Sequence, residues 1–156
     1  MSTPDNAVQQ VLRTAIQREI DAHNLYSAAV EMVDNAQAKE MLKDLAAQEL
    51  GHRAKLESLL AGRVFRVLSG AQQKQVEDLR ITDYLVEAPL TEGSDFQDVL
   101  IVAGKRENAS YELYSALAEV ADDEDTKQLF SYLATEELTH KRRVETLYDQ
   151  IVYREN

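Results

Sequence analysis

Two copies of a Glu-x-x-His motif carry donor atoms that a metal ion can bind. Glu49 and His52 form the first copy, and Glu137 and His140 form the second. On a helix, residues three apart project from one face, so each carboxylate and its imidazole can reach the same metal. The chain has no cysteine, which excludes disulfides, zinc–thiolate sites and iron–sulfur clusters. The motifs therefore predict metal binding through oxygen and nitrogen atoms alone.

A lone glutamate lies about 30 residues before each motif, within an apolar stripe of helical spacing. Glu19 precedes the first motif and Glu107 precedes the second. The motifs also interrupt apolar stripes, so all four carboxylates are expected in the core. Four unpaired buried carboxylates would be severely destabilising, whereas two divalent cations would balance their formal charge. We therefore predict six metal ligands: Glu19, Glu49, His52, Glu107, Glu137 and His140.

The donor set indicates which metals such a site would take. A Glu from each of two helices plus a Glu-x-x-His from each of the other two is the arrangement of di-iron and di-manganese bundles. Oxygen-rich ligation with two imidazoles favours iron or manganese over zinc or copper, and calcium does not favour imidazoles. Two Fe ions are predicted, with manganese or a mixed Mn/Fe pair as alternatives.

The six residues are predicted to have different roles. Glu49 and Glu137 are the predicted bridging ligands, and each histidine is predicted to bind one metal. Glu19 and Glu107 are the predicted terminal ligands. In the competing interpretation these residues form buried salt bridges or lie on surface helices, and no metal is bound.

Four neighbouring polar residues need separate predictions. Tyr26 and Tyr114 follow the two lone glutamates by seven residues, two turns along the same helix face. They either pack as core aromatics or donate a hydroxyl to a ligand carboxylate. His23 is predicted to lie at the core boundary rather than on a metal, and Glu136 is predicted to be a solvated flanking residue.

The sequence repeats itself at an offset of 88 residues. Residues 19–28 correspond to residues 107–116, and residues 39–59 correspond to residues 127–147 without a gap. Matched leucines and alanines could arise in any two helices, but polar residues need no counterpart for packing. The repeat therefore predicts two similar helical hairpins related by approximate two-fold symmetry.

Four long segments have apolar residues at helical spacing and few helix breakers. The predicted helices run from a cap at residues 3–5 to about Val33, from Ala36 to Leu60, from a cap at residues 94–95 to about Ala121, and from an acidic turn at residues 122–125 to about Ile151. The predicted fold class is all-α: a ferritin-like four-helix bundle forming one domain over residues 1–156. It contains hairpin one (about 4–60), a long crossover (61–94) with a short helix at residues 71–80, and hairpin two (about 95–151). The alternative is an open helical array.

Charge and hydropathy exclude some partners. The formal net charge is −11, and such a surface repels a nucleic-acid backbone. No apolar run is long enough to span a bilayer, and the first residues do not resemble a signal peptide. A cytoplasmic location with neither nucleic-acid nor membrane partners is expected.

The sequence resembles the rubrerythrin family of the ferritin-like superfamily. The resemblance rests on Glu19 and on segments 48–52, 78–85, 105–114 and 136–140. It implies a non-haem di-iron centre that reacts with hydrogen peroxide, dioxygen or both, often as a peroxide reductase in oxidative-stress defence. It also implies a homodimer, in which the long crossover could allow hairpins to swap between chains.

The sequence departs from the family pattern in two ways. Many rubrerythrins carry a rubredoxin-like domain with four cysteines, whereas this chain has none and ends at Asn156. The resemblance therefore implies electrons from a separate donor protein. Many also have a glutamate three residues after the ligand on the third helix. Here that position is Ser110, so the chain lacks the residue that ligand switching in the family's peroxidases would need.

These observations lead to three functional hypotheses. The first is a non-haem di-iron oxidoreductase that reduces hydrogen peroxide or dioxygen, a peroxidase or oxidase-type enzyme whose reactive residues are the six ligands. The second is a ferroxidase that stores iron. The third is a non-catalytic helical interaction protein whose site is structural.

Overall fold

The computed structural model describes residues 7–62 and 95–155, and these residues form four helices. They are α1 (Ala7–Val30), α2 (Ala36–Ala61), α3 (Phe96–Val120) and α4 (Glu124–Glu155). The described ranges contain no strand, which confirms the all-α prediction. The predicted cap at residues 3–5 and the predicted crossover helix at residues 71–80 lie outside them. None of the described helices combines the length and apolar character that a membrane span requires.

The turn of the first hairpin comes slightly earlier than predicted. Helix α1 ends at Val30 rather than near Val33. Its last carbonyl accepts a 2.8 Å hydrogen bond from Lys39 Nζ, which satisfies a group that has no partner within the helix. Asn35 then caps α2, because its side chain accepts a 3.0 Å hydrogen bond from the Ala38 backbone N–H.

The starts of α3 and α4 and the end of α2 form where the sequence predicts them, whereas α4 continues to Glu155, beyond the predicted end near Ile151. Asp95 begins α3 with a reciprocal capping box to Asp98. Asp123 begins α4 by accepting a 2.9 Å hydrogen bond from the Thr126 backbone N–H. The predicted acidic turn lies at the positive end of the α4 dipole, which stabilises it. Gly62 ends α2, and its N–H donates to a carbonyl of the last turn.

The core consists of two apolar clusters stacked along the bundle axis. The first apolar cluster includes Leu12, Ala15, Leu56, Leu113, Leu117, Phe130 and Leu133. The second apolar cluster includes Leu25, Leu42, Leu45, Leu100, Ala103, Val144 and Leu147. Every helix contributes to both clusters. Between the two clusters, the buried side chains of each helix are polar, apart from Ala109 on α3. The stacking therefore places a polar layer inside the bundle.

The clusters also give the direction of each helix. Helices α1 and α4 pass from the first apolar cluster to the second, whereas α2 and α3 pass from the second to the first. Helix α2 therefore ends at one end of the bundle and α3 begins at the other. Two hairpins joined by a connection between opposite ends form a ferritin-like four-helix bundle, as predicted.

Candidate metal centre

The six predicted ligands form the polar layer between the two apolar clusters. The six side chains come together because each helix presents its polar stretch at the same level of the bundle. All six are at most 3% exposed: Glu19, Glu49, His52, Glu107, Glu137 and His140. The two apolar clusters cover this layer above and below.

The two Glu-x-x-His motifs interlock across α2 and α4. The Nδ1 atom of His140 lies 2.6 Å from Glu49 Oε1, and the Nδ1 atom of His52 lies 2.8 Å from Glu137 Oε1. One donor atom from each of the four residues lies within 4.8 Å of the others. Each carboxylate therefore faces the imidazole of the opposite motif, so both motifs can share one cluster of metal ions.

The lone glutamates flank this group, one at each end. Glu19 Oε2 lies 3.6 Å from His52 Nδ1, and Glu107 Oε1 lies 3.7 Å from His140 Nδ1. Each end therefore has one imidazole and one glutamate of its own, with the two motif glutamates between the ends. This arrangement agrees with the predicted terminal and bridging roles, which remain predictions.

Two tyrosines connect the hairpins through the lone glutamates. The Tyr26 hydroxyl on α1 donates a 2.7 Å hydrogen bond to Glu107 Oε1 on α3, and the Tyr114 hydroxyl on α3 donates one of 2.7 Å to Glu19 Oε1 on α1. Both rings also pack in the apolar clusters, so the two roles left open by the sequence coexist. The equal distances reflect the two-fold symmetry that the repeat predicts.

Sequence reasoning missed two residues that lie behind the histidines. His140 Nε2 is 2.7 Å from Gln48 Oε1. His52 Nε2 is 3.7 Å from Glu136 Oε1, and the Glu136 side chain is only 27% exposed. Glu136 therefore flanks the centre as predicted, but its side chain is half-buried and faces His52 rather than being fully solvated. The signal was present in the repeat, because positions 48 and 136 are equivalent and each precedes a motif glutamate.

A cavity of about 150 Å³ reaches the polar layer from the side of α1 and α3. It touches all four ligand carboxylates and is also lined by Arg18, Arg106 and Ser110. Arg18 Nη2 donates a 3.3 Å hydrogen bond to the Arg106 carbonyl. The repeat signalled this pair, since each arginine directly precedes a lone glutamate.

His23 lies apart from the centre, with Nδ1 2.9 Å from the Ala46 carbonyl, in agreement with its predicted boundary position.

Comparison with known proteins identifies the family. A family model described as Rubrerythrin matches residues 10–148. The chain belongs to the rubrerythrin family. A solved structure of a hypothetical protein from Pyrococcus furiosus, Pfu-1136390-001, is similar with a TM-score of 0.70 and 22% identity over 93% of this chain and 90% of that one. That likeness supports the fold. No curated protein matches the chain.

The donor atoms of this rubrerythrin-family chain fit a metal pair. Within residues 7–62 and 95–155, six buried side-chain atoms of the centre have no hydrogen-bond partner. They comprise one oxygen each of Glu19, Glu49, Glu107 and Glu137 and both ring nitrogens of His52. His52 Nδ1 and Glu137 Oε1 approach to 2.8 Å, but not in hydrogen-bonding geometry. Buried polar atoms are rarely left unpaired in folded proteins, and here they belong to residue types that bind transition metals. The layer can therefore hold a metal ion pair.

Burial sets the electrostatics of the motif glutamates. Loss of hydration raises the pKa of Glu49 and Glu137 well above 4.5, and repulsion from neighbouring carboxylates raises it further. Burial also raises the pKa of the Tyr26 and Tyr114 hydroxyls, so both tyrosines remain protonated hydrogen-bond donors. Without cations, Glu49 and Glu137 therefore favour their protonated forms, and cations would replace those protons. Burial opposes ionisation of Glu107 as well, but hydrogen bonds with Glu137, His140 and Tyr26 outweigh it and lower the pKa of Glu107.

Removing either tyrosine hydroxyl should weaken the centre without removing a ligand. We expect Tyr26→Phe and Tyr114→Phe each to lower metal affinity about tenfold, because the lone glutamate loses the contact that orients it. Calorimetric titration of the metal-free protein with Mn(II) measures this. Tyr148→Phe is the matched control, since Tyr148 lies eight residues beyond His140 and packs against the second apolar cluster. Equal affinities for all four proteins would show that the hydroxyls do not orient the ligands.

Proposed function

We propose that the protein is a non-haem di-iron oxidoreductase that reduces hydrogen peroxide, and more slowly dioxygen, with electrons from a separate donor. The observation that carries this proposal is the symmetric layer of four carboxylates and two imidazoles, closed above and below by apolar clusters. Membership of the rubrerythrin family supports it. Iron is proposed over manganese because the resemblance to the rubrerythrin family implies a di-iron centre.

The two metal positions would each have one imidazole and three available carboxylates. His52 with Glu19 would hold one ion, and His140 with Glu107 would hold the other. The motif glutamates would lie between the ions. Two bound ferrous ions would each supply one electron, and as Lewis acids they would polarise the oxygen–oxygen bond.

The cavity between α1 and α3 provides a route for a small oxidant. Its volume of about 150 Å³ suits a molecule of two oxygen atoms and excludes large organic substrates. Arg18 and Arg106 lie beside the four ligand carboxylates and Asp21, so the lining is polar and suits a small polar molecule. The Ser110 hydroxyl also lines the cavity and can donate a hydrogen bond to a bound oxygen species.

Electrons must enter from outside this chain. Reduction of hydrogen peroxide to two waters consumes two electrons and two protons, so the two electrons spent at the centre would have to be restored after each turnover. The sequence has no cysteine and so cannot build a rubredoxin-type or iron–sulfur relay. A separate electron-donor protein is therefore part of the proposal. The homodimer also remains a prediction.

Anaerobic titration with Fe(II) is the experiment that tests the proposed function. We expect saturation near two irons per chain, followed by faster oxidation when peroxide is added than when dioxygen is added. Absorbance after stopped-flow mixing with each oxidant separately measures the two rates. The difference is expected because the cavity lining offers polar groups, including the Ser110 hydroxyl, that can hydrogen-bond to hydrogen peroxide, whereas dioxygen is apolar.

Other outcomes would redirect the interpretation. The absence of stoichiometric iron binding would remove the metal centre and with it the enzyme. Uptake of many irons per chain would favour the ferroxidase and storage hypothesis. Two irons that oxidise at the same rate with both oxidants would leave a di-iron protein but contradict the preference for peroxide.

A further inference from the structure

Behind each histidine of the metal centre, a line of side chains leads to the surface on the side of α2 and α4. The first line begins at His140, whose Nε2 lies 2.7 Å from Gln48 Oε1. The Gln48 amide nitrogen donates a 2.8 Å hydrogen bond to Asp44 Oδ2, and Arg143 donates one of 2.9 Å to the same oxygen. A carboxylate only accepts, so Asp44 fixes the Gln48 amide with its oxygen towards His140.

The second line occupies the equivalent positions of the repeat. His52 Nε2 lies 3.7 Å from Glu136 Oε1. The Tyr132 hydroxyl donates a 2.9 Å hydrogen bond to that oxygen, and Lys55 Nζ lies 5.6 Å from the centre of the Tyr132 ring. His52 Nε2 has no hydrogen-bond partner among the described residues. Because Glu136 offers the carboxylate facing it, a small movement of this half-buried side chain would complete the contact.

The two lines match in position but differ in chemistry. At the offset of 88 residues, positions 44, 48, 52 and 55 correspond to positions 132, 136, 140 and 143. In both lines an acceptor faces Nε2. Gln48 can hold the ring proton of His140 there, and Glu136 would do the same for His52 once that contact closes, which leaves Nδ1 for the centre. The acceptor behind His140 is a neutral amide, whereas the acceptor behind His52 is a carboxylate.

This difference bears directly on the strength of the metal ligand. A carboxylate behind a metal-binding imidazole polarises the N–H bond and increases electron density at the opposite nitrogen, which makes the imidazole a stronger donor. A neutral amide orients the ring but polarises it less, because charge-assisted hydrogen bonds are about twice as strong as neutral ones. The surrounding ligands are otherwise equivalent by the repeat.

We propose that Glu136 and Gln48 are positioning residues for the two histidines, and that the difference between them makes the two metal positions inequivalent. The position formed by His52 and Glu19 binds a divalent metal more tightly than the position formed by His140 and Glu107. This inference rests on the metal centre of the proposed function. It adds that the position formed by His52 and Glu19 is filled before the other.

Single-position variants test the inference without any measurement of activity. His140→Ala leaves the His52 position intact, and His52→Ala leaves the His140 position intact. We expect the first variant to bind one Co(II) about tenfold more tightly than the second, by calorimetric titration supported by the visible Co(II) spectrum. Adding Glu136→Gln to the first variant should remove this difference. Adding Glu145→Gln, an exposed glutamate on the same helix, should leave it unchanged.

The possible outcomes separate this inference from the proposed function. Equal affinities in the two single-position variants, or no effect of Glu136→Gln, would overturn the inference while two metals still bind to the unsubstituted chain. Failure of the unsubstituted chain to bind Co(II) would overturn both. Should the histidine variants not fold, the two stepwise Co(II) constants of the unsubstituted chain and of Glu136→Gln alone give the same test. Their ratio should fall about tenfold in the variant.

Discussion

Replacement of Glu49 by glutamine should reduce iron binding below two ions per chain and slow peroxide-dependent oxidation at least about 100-fold. Changes to residues behind metal ligands alone cost 10- to 100-fold in affinity or activity, and Glu49 occupies the middle of the predicted ligand set. Its carboxylate contacts the His140 imidazole at 2.6 Å and lies within the group of donor atoms that spans 4.8 Å. Anaerobic Fe(II) titration and stopped-flow absorbance measure both effects.

The same substitution should not unfold the metal-free protein. Glutamine has nearly the shape of a protonated glutamate, which is the form that burial favours at position 49 when no cation is present. We therefore expect metal-free Glu49→Gln to unfold at the same or a higher temperature than the unsubstituted chain. Loss of metal binding together with retained stability would separate a ligand from a structural residue.

Glu40→Gln is the matched control for this prediction. Glu40 is an exposed glutamate on the same helix, so the substitution changes the net charge equally without touching the polar layer. It should leave iron stoichiometry and oxidation rate unchanged. Full binding and full rate in Glu49→Gln would show that Glu49 is not a ligand.

The ligands could be predicted from the sequence because they violate the apolar pattern in which they lie. Glu19 and Glu107 interrupt stripes that must face the core, and a buried charge requires a compensating partner. The repeat then showed that the violation occurs twice at equivalent positions. Helical spacing alone places such residues at one level, so the fold class and the polar layer followed from the same observations.

The residues behind the ligands were harder to predict because they lie next to the core stripe rather than within it. Glu136 and Arg18 have long side chains, and their neighbours along the helix are ligands. Whether such a side chain turns towards solvent or towards the core depends on the helix packed against it, which the pattern of one helix does not record. The end of α1 was misplaced for a related reason, since the contact from Lys39 to Val30 comes from the next helix.

The metal-free and metal-bound proteins should depend on pH in opposite directions. Burial raises the pKa of Glu49 and Glu137 well above 4.5 in the folded chain. Between pH 4.5 and these raised values the folded chain binds more protons than the unfolded chain, so these groups destabilise it progressively as the pH rises. Glu49 and Glu137 make their full favourable contribution to stability below the pKa that they have in the unfolded chain. This contribution is lost as the pH rises through the pKa that they have in the folded chain.

Metal binding should reverse this trend because it requires ionised carboxylates and releases protons. Affinity therefore rises with pH over the range in which the metal-free protein loses stability. A ligand present at 100 times its dissociation constant stabilises the folded state by about 2.7 kcal/mol. For a chain of 156 residues this corresponds to a rise in Tm of about 5–10 °C. We expect a larger rise at pH 7.5 than at pH 5.5.

Thermal unfolding with and without excess Mn(II), followed by circular dichroism across this pH range, measures the reversal. Other carboxylates also titrate in this range, so the double variant Glu49→Gln/Glu137→Gln is the control. Subtracting its pH dependence from that of the unsubstituted protein isolates the two buried groups. Without metal, the Tm of the unsubstituted protein should fall relative to that of the double variant as the pH rises. With Mn(II), it should rise relative to that of the double variant.

A Tm difference that does not vary with pH in either condition would mean that Glu49 and Glu137 are ionised in the folded chain without cations. The charge in the polar layer would then have to be compensated by the protein itself, in particular by Arg18 at the edge of the cavity.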